Sequence, residues 1–300
     1  MYFQGKFIPF KDAKIGVMTH AFNYGTGVFE GIRGYWNKNK KQLYILKLKE
    51  HNERLLMSCK AIKIDIKKTL DELEKITIEV VKRNGYKQDV YIRPIAYKSQ
   101  EQVGLGLTGL QDDFLIYLAP FGDYLDTFKG IKTCVSSWHR VNEKMIPEGA
   151  KITGLYINSS LAKAEAKEKG YDEAIMLNHK GNVAEGSGEN IFIVKNGEVI
   201  TPHLSSNILA GITRRAVIGL LKEELKLKVI EGSITKDELY SADEIFFSGT
   251  GAQVVAVSEV DGKKIGTGSM GEVTSKLQKI YFGAVRGENP KYSDWLTPVY

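Results

Sequence analysis

Three side chains between residues 147 and 194 are of types that could do chemistry together. Lys151 lies in a loop of small residues before an Ala-rich segment of helical composition, and Tyr156 follows five positions later. Glu185 begins the glycine-rich sequence EGSGEN, which leads into an apolar stretch that is predicted to be a strand. A lysine becomes a nucleophile when burial or a nearby positive centre lowers its pKa. The lysine and the carboxylate suit Schiff-base chemistry, although either residue alone is more often a solvated surface group or a turn residue.

The elements that would position these residues divide into two predicted domains. Residues 1–123 combine strand and hairpin patterns with two helical patterns, which indicates a small N-terminal α+β domain. A polar segment bounded by glycines predicts an interdomain linker at 124–130. Residues 131–300 are predicted to form a larger domain of strands flanked by helices, so the fold class is α/β of the α+β type. The tail from Gly287 is expected to be loose or packed on the surface.

Local patterns predict several elements with defined bounds. Apolar spacing predicts helices over residues 48–61, 70–83 and 213–225. The dipeptide at 84–85, Asn-Gly, predicts the end of the second helix. Residues 2–10 are predicted to form a short native hairpin at the start of the chain.

Composition and charge exclude several classes of protein. The net charge of +6 comes from 42 basic and 36 acidic residues, which are interleaved along the 300-residue chain. Such interleaving argues against a nucleic-acid-binding surface. Neither a secretory signal nor an apolar run of bilayer-spanning length is present in the sequence, so no membrane association is predicted. Two cysteines, Cys59 and Cys134, are too few for a disulfide framework or a zinc site. They are predicted to be buried thiols in a cytoplasmic protein without a metal.

Motifs in a fixed order along the chain resemble the branched-chain amino acid aminotransferases. These enzymes belong to the class IV aminotransferases, which are pyridoxal phosphate enzymes of fold type IV. The resemblance extends from about residue 2 to about residue 285 and rests on seven segments: YGTGVFEGIR at 24–33, EHNERL at 50–55, YIRP at 91–94, AKITG at 150–154, EGSGEN at 185–190, GITR at 211–214 and SGTG at 248–251. It implies that pyridoxal 5'-phosphate is bound between the two domains.

The resemblance also implies roles for the residues that would hold this cofactor. Lys151 would bind its aldehyde carbon and then carry the proton between substrate and cofactor, first as general base and then as general acid. Glu185 would face the pyridine nitrogen, and Tyr156 would hydrogen-bond to the phenolic oxygen. The residues expected at the phosphate group are Arg54, Ile212, Thr213 and Thr250. Thr213 lies at the start of a predicted helix, where it could also be the N-cap.

Substrate recognition is implied for the first domain and for one turn of the second. Tyr91 and Arg93 lie on the same face of a predicted strand and would serve the substrate carboxylate, together with the turn amides of Thr250 and Gly251. The residues expected around the aliphatic side chain are Tyr24, Phe29, Gly31, Leu105, Leu107 and Tyr124. In the family, Tyr24 and the loop with Leu105 and Leu107 come from the neighbouring subunit, which implies a homodimer or a larger homo-oligomer.

The predicted reaction is the reversible transfer of the amino group of L-leucine, L-isoleucine or L-valine to 2-oxoglutarate. This ping-pong reaction gives the 2-oxo acid and L-glutamate, and no partner besides these amino acids and 2-oxo acids is predicted. The alternatives that share the fold are a D-amino acid aminotransferase, an (R)-selective amine transaminase and aminodeoxychorismate lyase. The motif YIRP at 91–94 favours the branched-chain type. A binding protein without activity is disfavoured because Lys151, Glu185 and Arg54 are all present.

Two stretches beside the expected site depart from the family pattern. Phe22 and Asn23 stand where Leu-His is common, and Ile152 and Thr153 follow Lys151 where smaller residues are usual. These departures leave the range of amine substrates open.

Overall fold

The computed structural model describes residues 1–122, 125, 129–147 and 149–300. Its α-helices are α1 His20–Tyr24, α2 Leu48–Ala61, α3 Leu70–Asn84, α4 Tyr156–Glu168, α5 Ile212–Glu223, α6 Lys236–Tyr240 and α7 Glu272–Val285. Its strands are β1 Tyr2–Phe3, β2 Lys6–Phe7, β3 Gly27–Phe29, β4 Ile32–Asn37, β5 Gln42–Leu46, β6 Val90–Lys98, β7 Asp112–Pro120, β8 Ile131–Val135, β9 Glu173–Leu177, β10 Val183–Gly186, β11 Asn190–Lys195, β12 Glu198–Pro202, β13 Val229–Gly232, β14 Glu244–Gly249, β15 Gln253–Val260, β16 Lys263–Lys264 and β17 Leu296–Pro298. Among the helices described here, none combines the length and apolar character that a membrane span requires.

The chain folds into two compact units. The first unit contains residues 1–122, 150–156 and 284–300, and the second contains residues 123–149 and 157–283. The first unit thus includes two segments that the domain prediction places in the second domain. Periodicity and composition report local structure only, so they could not show which segments return to the first sheet. Most of the predicted linker lies outside the described residues.

The first unit is built on an eight-stranded sheet. Its strand order is β17-β5-β4-β6-β7-β1-β2, and β3 pairs with β6. The longest pairing joins β6 to β7 in antiparallel register. β1 pairs with β2, which confirms the predicted hairpin, and β1 also pairs with β7.

The end of the chain is part of this sheet. A 3-10 helix over Pro290–Trp295 leads into β17, which pairs with β5 in antiparallel register. The N–H of Val299 continues the pairing by donating to the carbonyl of Leu43 at 3.0 Å. The segment 290–299 is therefore not loose: of the two alternatives that the sequence left, it is packed, at the edge of this sheet. Its prolines favour a loop locally, but pairing with a distant edge strand decides its structure.

Two helices of the first unit follow the sequence pattern closely. α3 begins with a capping box in which Thr69 and Glu72 exchange side-chain and backbone hydrogen bonds. It ends at Gly85, whose φ of 64° lies in the left-handed region that glycine adopts easily. α2 buries Leu55 and Cys59 among its inward residues. Cys59 and Cys134 are both free and buried, as predicted.

The second unit is built on a nine-stranded sheet. Its order is β10-β9-β8-β15-β14-β11-β12-β13, and β10 also pairs with β11, so six of the strands form a closed ring. Apolar side chains fill one core cluster, which includes Ile175, Ile191, Phe247 and Val255. Asn190, at the start of β11, pairs with Ser248 near the end of β14. The turns that join β10 to β11 and β14 to β15 therefore lie at the same end of the sheet.

Candidate active site

The backbone of Lys151 is fixed within the first unit. Its N–H donates to the hydroxyl of Ser58 at 3.0 Å, and its carbonyl accepts from the N–H of Phe29 at 3.1 Å. Gly25 and Gly154 approach so closely that a Cβ added to Gly25 would lie 2.7 Å from the Cα of Gly154. The loop can reach β3 because neither residue carries a side chain at this contact.

The amine of Lys151 lies among aromatic groups. Its Nζ donates a hydrogen bond to the hydroxyl of Tyr156. The same Nζ is 4.8 Å from the ring centroid of Phe29 and 4.9 Å from that of Tyr156. The two rings are themselves 4.6 Å apart in an edge-on arrangement. The structure thus brings together two residues predicted at the cofactor and one predicted at the substrate.

A fully buried carboxylate that the sequence did not reveal fixes Arg54. Glu30 accepts from Nε and Nη2 of Arg54 at 2.6 and 2.9 Å, and its Oε2 lies 2.7 Å from Nδ1 of His51. Burial alone would raise the pKa of Glu30, but the charges of Arg54 and His51 together hold it well below its ordinary value. Burial lowers the pKa of His51 despite the attraction of Glu30. Glu30 therefore stays ionised and positions the guanidinium that the family resemblance assigns to the phosphate.

Removing the Glu30 carboxylate is expected to destabilise the protein strongly. Glu30→Ala would leave a buried guanidinium without its counter-charge, and we expect the free energy of unfolding to fall by about 3 kcal/mol or more. Urea denaturation of the purified variant measures this loss. Glu53→Ala removes a carboxylate from the exposed face of α2, the helix that carries Arg54 and His51, and serves as the control. Equal stability of the two variants would contradict the role of Glu30.

Four residues predicted at the substrate meet within the first unit. Nη2 of Arg93 donates to the hydroxyl of Tyr91 at 2.8 Å, and the guanidinium lies 4.4 Å from the ring centroid of Phe29. Gly31 lies against Tyr91, since a Cβ on Gly31 would be 2.1 Å from the Tyr91 hydroxyl. Nε of Arg93 is buried and has no hydrogen-bond partner among the described residues. This arrangement can accept a small anion beside an apolar ring.

The other predicted pocket residues lie elsewhere on the first unit or outside the described residues. Leu105 is 81% exposed and Tyr24 is 37% exposed. The hydroxyl of Tyr24 accepts from the N–H of Gly104 at 3.2 Å, so α1 is tied to the loop that carries Leu105. Leu107 is half-buried in the same loop, and Tyr124 lies outside the described residues.

In the second unit, Glu185 is held by three groups. Asn190 Nδ2 and the N–H of Leu209 donate to Oε2 of Glu185 at 3.0 and 3.1 Å. Nε of Arg140 forms an ion pair with Oε1 at 2.9 Å. The sequence did not reveal Arg140 or the role of Asn190. Asn190 is at least part of the motif EGSGEN, whereas no local pattern points to Arg140.

Helix α5 presents its N-terminus beside Asn190. The helix begins at Ile212 with Gly211 as its N-cap, so Thr213 is its second residue and not the N-cap that the sequence allowed. A Cβ on Gly211 would lie 2.0 Å from Oδ1 of Asn190. The N–H groups of the first turn have no partner within the helix, and the Thr213 side chain is buried. Such an end suits a phosphate group.

Thr250 and Gly251 form the turn between β14 and β15. This turn lies at the same end of the sheet as Glu185, because Glu185 pairs with Asn190 and Asn190 pairs with Ser248. The second unit therefore collects the predicted carboxylate and the predicted turn amides at one end of its sheet.

Comparison with known proteins decides the family. Residues 27–260 match the family model of class IV aminotransferases. This chain belongs to the class IV aminotransferases. The probable branched-chain-amino-acid aminotransferase of Aquifex aeolicus is 52% identical to this aminotransferase over 299 residues, which cover 100% of this chain and 96% of the relative.

Solved structures show the same fold for the aminotransferase. A branched-chain aminotransferase from Thermoproteus uzoniensis with norvaline is 47% identical, with a TM-score of 0.95 and coverage of 100% of this chain and 98% of that one. The branched-chain amino acid aminotransferase from Thermobaculum terrenum in its PLP-form is 38% identical, with a TM-score of 0.95 and coverage of 100% of this chain and 97% of that one. The predicted α+β architecture of fold type IV is therefore confirmed.

The groups in the aminotransferase fit a phosphorylated pyridine aldehyde chemically. The first unit offers the Lys151 amine for an aldehyde and the Tyr156 hydroxyl for a phenolate. The second unit offers the Glu185 carboxylate for a ring nitrogen and the α5 N-terminus for a phosphate. Each kind of group in such a molecule has a counterpart of matching charge or hydrogen-bonding character.

Proposed function

We propose that this aminotransferase acts on branched-chain amino acids and uses pyridoxal 5'-phosphate. It exchanges the amino group of L-leucine, L-isoleucine or L-valine with 2-oxoglutarate in a reversible ping-pong reaction that releases L-glutamate. The observation that carries the proposal is the grouping of Lys151, Tyr156 and Phe29 next to the Arg93–Tyr91 pair. The names of the relatives from Aquifex aeolicus and Thermoproteus uzoniensis support the substrate class.

The residues that we propose for the cofactor are those that the family resemblance implies. They are Lys151, Arg54 and Tyr156 of the first unit and Glu185, Ile212, Thr213 and Thr250 of the second. When bound, pyridoxal phosphate supplies an electron sink for the negative charge that develops on the substrate α-carbon. The structure of the Thermobaculum terrenum enzyme, which is that of its PLP-form, supports this choice.

The proton of the reaction is carried by Lys151. Its Nζ would take the proton from the substrate α-carbon as general base and would then give it up as general acid. The hydrogen bond to Tyr156 and the ring of Phe29 restrict where the amine can move. Glu185 would favour a proton on the ring nitrogen of the cofactor, and Arg140 fixes the orientation of the Glu185 carboxylate.

Substrate recognition combines one cationic and one apolar side. Arg93 and Tyr91 bind the carboxylate, assisted by the amides of Thr250 and Gly251. The missing side chain of Gly31 leaves room for the hydroxyl of Tyr91. The ring of Phe29 offers an apolar surface against which an aliphatic chain can pack.

The function is tested by the absorbance of the cofactor-loaded enzyme during titration with three amines. L-Leucine is expected to convert the band of the lysine-bound cofactor into that of the pyridoxamine form, whereas D-alanine and (R)-1-phenylethylamine are not. Conversion by either of the latter would instead support the D-amino acid or (R)-amine alternative. Failure to bind the cofactor after reconstitution would overturn the proposal.

A second copy of the chain is proposed to complete the enzyme as a homodimer or a larger homo-oligomer. Side chains from two segments form an exposed apolar surface on the first unit: Ile15, Val17, Phe22, Val103 and Leu105. His20 joins the segments, since its Nδ1 is 2.7 Å from Oγ1 of Thr26 and its Nε2 is 2.8 Å from the carbonyl of Gly104. Water-exposed apolar patches of this kind mark protein interfaces.

Charged residues on this apolar surface are expected to separate the subunits. We expect the double variant Val103→Asp, Leu105→Asp to shift the assembly toward the monomer and to lose at least about 10-fold in activity, because burying two carboxylates is costly. Light scattering coupled to size-exclusion chromatography measures the mass. Leu204→Asp, at an exposed apolar residue of the second unit, is the control. A fully active monomer would end the proposal of a shared site.

The cysteines bear on the compartment. Cys59 and Cys134 are free and buried. Thiols persist in this form where the cell keeps them reduced. We therefore propose that the enzyme works in the cytoplasm.

A further inference from the structure

Glu189 is a buried acidic residue that takes no part in the reaction as described above. It ends the turn that joins β10 to β11 and is 6% exposed. The N–H of Gly188 donates to its Oε2 at 3.1 Å, and its main-chain carbonyl accepts from the N–H of Gly186 at 2.7 Å. The side chain therefore folds back under its own turn.

The same side chain contacts the neighbouring glycine-rich turn. A Cβ added to Gly249, the residue before Thr250, would lie 3.4 Å from Cγ of Glu189. A Cβ added to Gly186 would lie 2.8 Å from Oε2. Glu189 thus packs against the backbone at the base of both turns, which carry Glu185 on one side and Thr250 on the other.

The charged groups around Glu189 leave its carboxyl without a counter-charge of its own among the described residues. Glu173 on β9 is fully buried and is paired with Lys163 of α4, while Glu185 on β10 is paired with Arg140. Burial and then the negative charge of Glu173 raise the pKa of Glu189 to about 8, against the smaller opposing effect of Lys163. A buried carboxyl that forms no ion pair of its own and lies near a second carboxylate favours its protonated form.

We propose that Glu189 is a positioning residue that acts as a neutral carboxylic acid beneath the turns of Glu185 and Thr250. The neutral form fills the space under both turns without adding a buried charge that would have to be hydrated. Loss of the proton at alkaline pH would place an uncompensated charge there, and the turns would have to shift to admit water. The effect on turnover rests on the proposed function, whereas the protonation of Glu189 is a property of the fold.

The first test follows the stability of the cofactor-free protein with pH. The folded state keeps a proton that the unfolded state releases between the ordinary pKa of 4.5 and about 8. As the pH rises through that window, the free energy of unfolding of the wild type must therefore fall relative to that of a variant whose side chain does not titrate. We expect the melting temperature of Glu189→Gln, minus that of the wild type, to increase by at least about 3 °C between about pH 5.5 and 8.5.

This test needs no measurement of enzymatic activity. The proposal would be overturned if the melting temperatures of the wild type and Glu189→Gln changed with pH in parallel. Glu168→Gln, which removes an exposed carboxylate at the end of α4, is expected to run parallel to the wild type and controls for the loss of one charge.

The second test uses the cofactor-loaded enzyme with L-leucine. Above about pH 8, the kcat of the wild type is expected to decline and its cofactor to dissociate faster, and both changes should be much smaller in Glu189→Gln. Glu189→Ala is expected to lower kcat about 10-fold at neutral pH by removing the packing, with rescue by Gln. If Glu189→Gln lost as much kcat as Glu189→Ala, the charge of Glu189 would be needed, and this result would overturn the proposal. If no amine is turned over but the melting result holds, only the proposed function fails.

Discussion

Lys151→Ala is expected to lower the rate of amine transfer by at least about 1,000-fold, because the variant lacks the amine that carries the α-proton. The fold should survive, since the hydrogen bonds that hold the backbone of this residue come from its own N–H and carbonyl, which the substitution keeps. Single-turnover kinetics with L-leucine measure the loss. The band of the lysine-bound cofactor should also be missing from the absorbance spectrum.

The matched control for this variant is Lys167→Ala, which removes an exposed lysine from α4. It is expected to retain the spectrum and the rate of the wild type. Turnover of Lys151→Ala at the rate of this control would overturn the assignment. Partial recovery of Lys151→Ala by added small amines would instead support it, because a free amine can replace the missing base.

Glu185→Gln is expected to lower kcat by about 100-fold or more while the cofactor still binds. The amide keeps the size of the carboxylate, and its oxygen can accept from Asn190 and Leu209 as Oε2 does now. The amide NH2 would then replace Oε1 and face the guanidinium of Arg140. The negative charge that would favour a proton on the ring nitrogen of the cofactor would be lost.

Glu198→Gln, on a strand of the same sheet but paired with an exposed lysine, controls for this substitution. Its kcat should equal that of the wild type. A Glu185→Gln enzyme with normal kcat but weakened cofactor binding would show that Glu185 binds the cofactor without contributing to the chemistry.

Local patterns were sufficient for much of the fold. The helix predicted over residues 48–61 has these bounds in the structure, because apolar spacing and burial agree along it. The glycine at 85 ends α3 as its left-handed backbone conformation requires. Lys151 and Tyr156 were predicted by motif, and the structure places their polar atoms in contact.

Features that depend on contacts between distant segments could not be predicted. Glu30 lies within a recognised motif, but nothing in its spacing shows that it will be buried against Arg54 and His51. Arg140 reaches Glu185 from a segment without periodicity. The same reason explains the missed strand β17, which is defined by its partner β5.

The pairing of β17 with β5 has a consequence for synthesis of the protein. Leu296–Pro298 leaves the ribosome long after β5 has been made, so β5 remains an open sheet edge during most of translation. The first unit can be completed only after residue 298 has emerged, even though it also contains residues 1–122. Nascent chains that stall before residue 296 are therefore expected to be more prone to aggregation than chains that stall just beyond it.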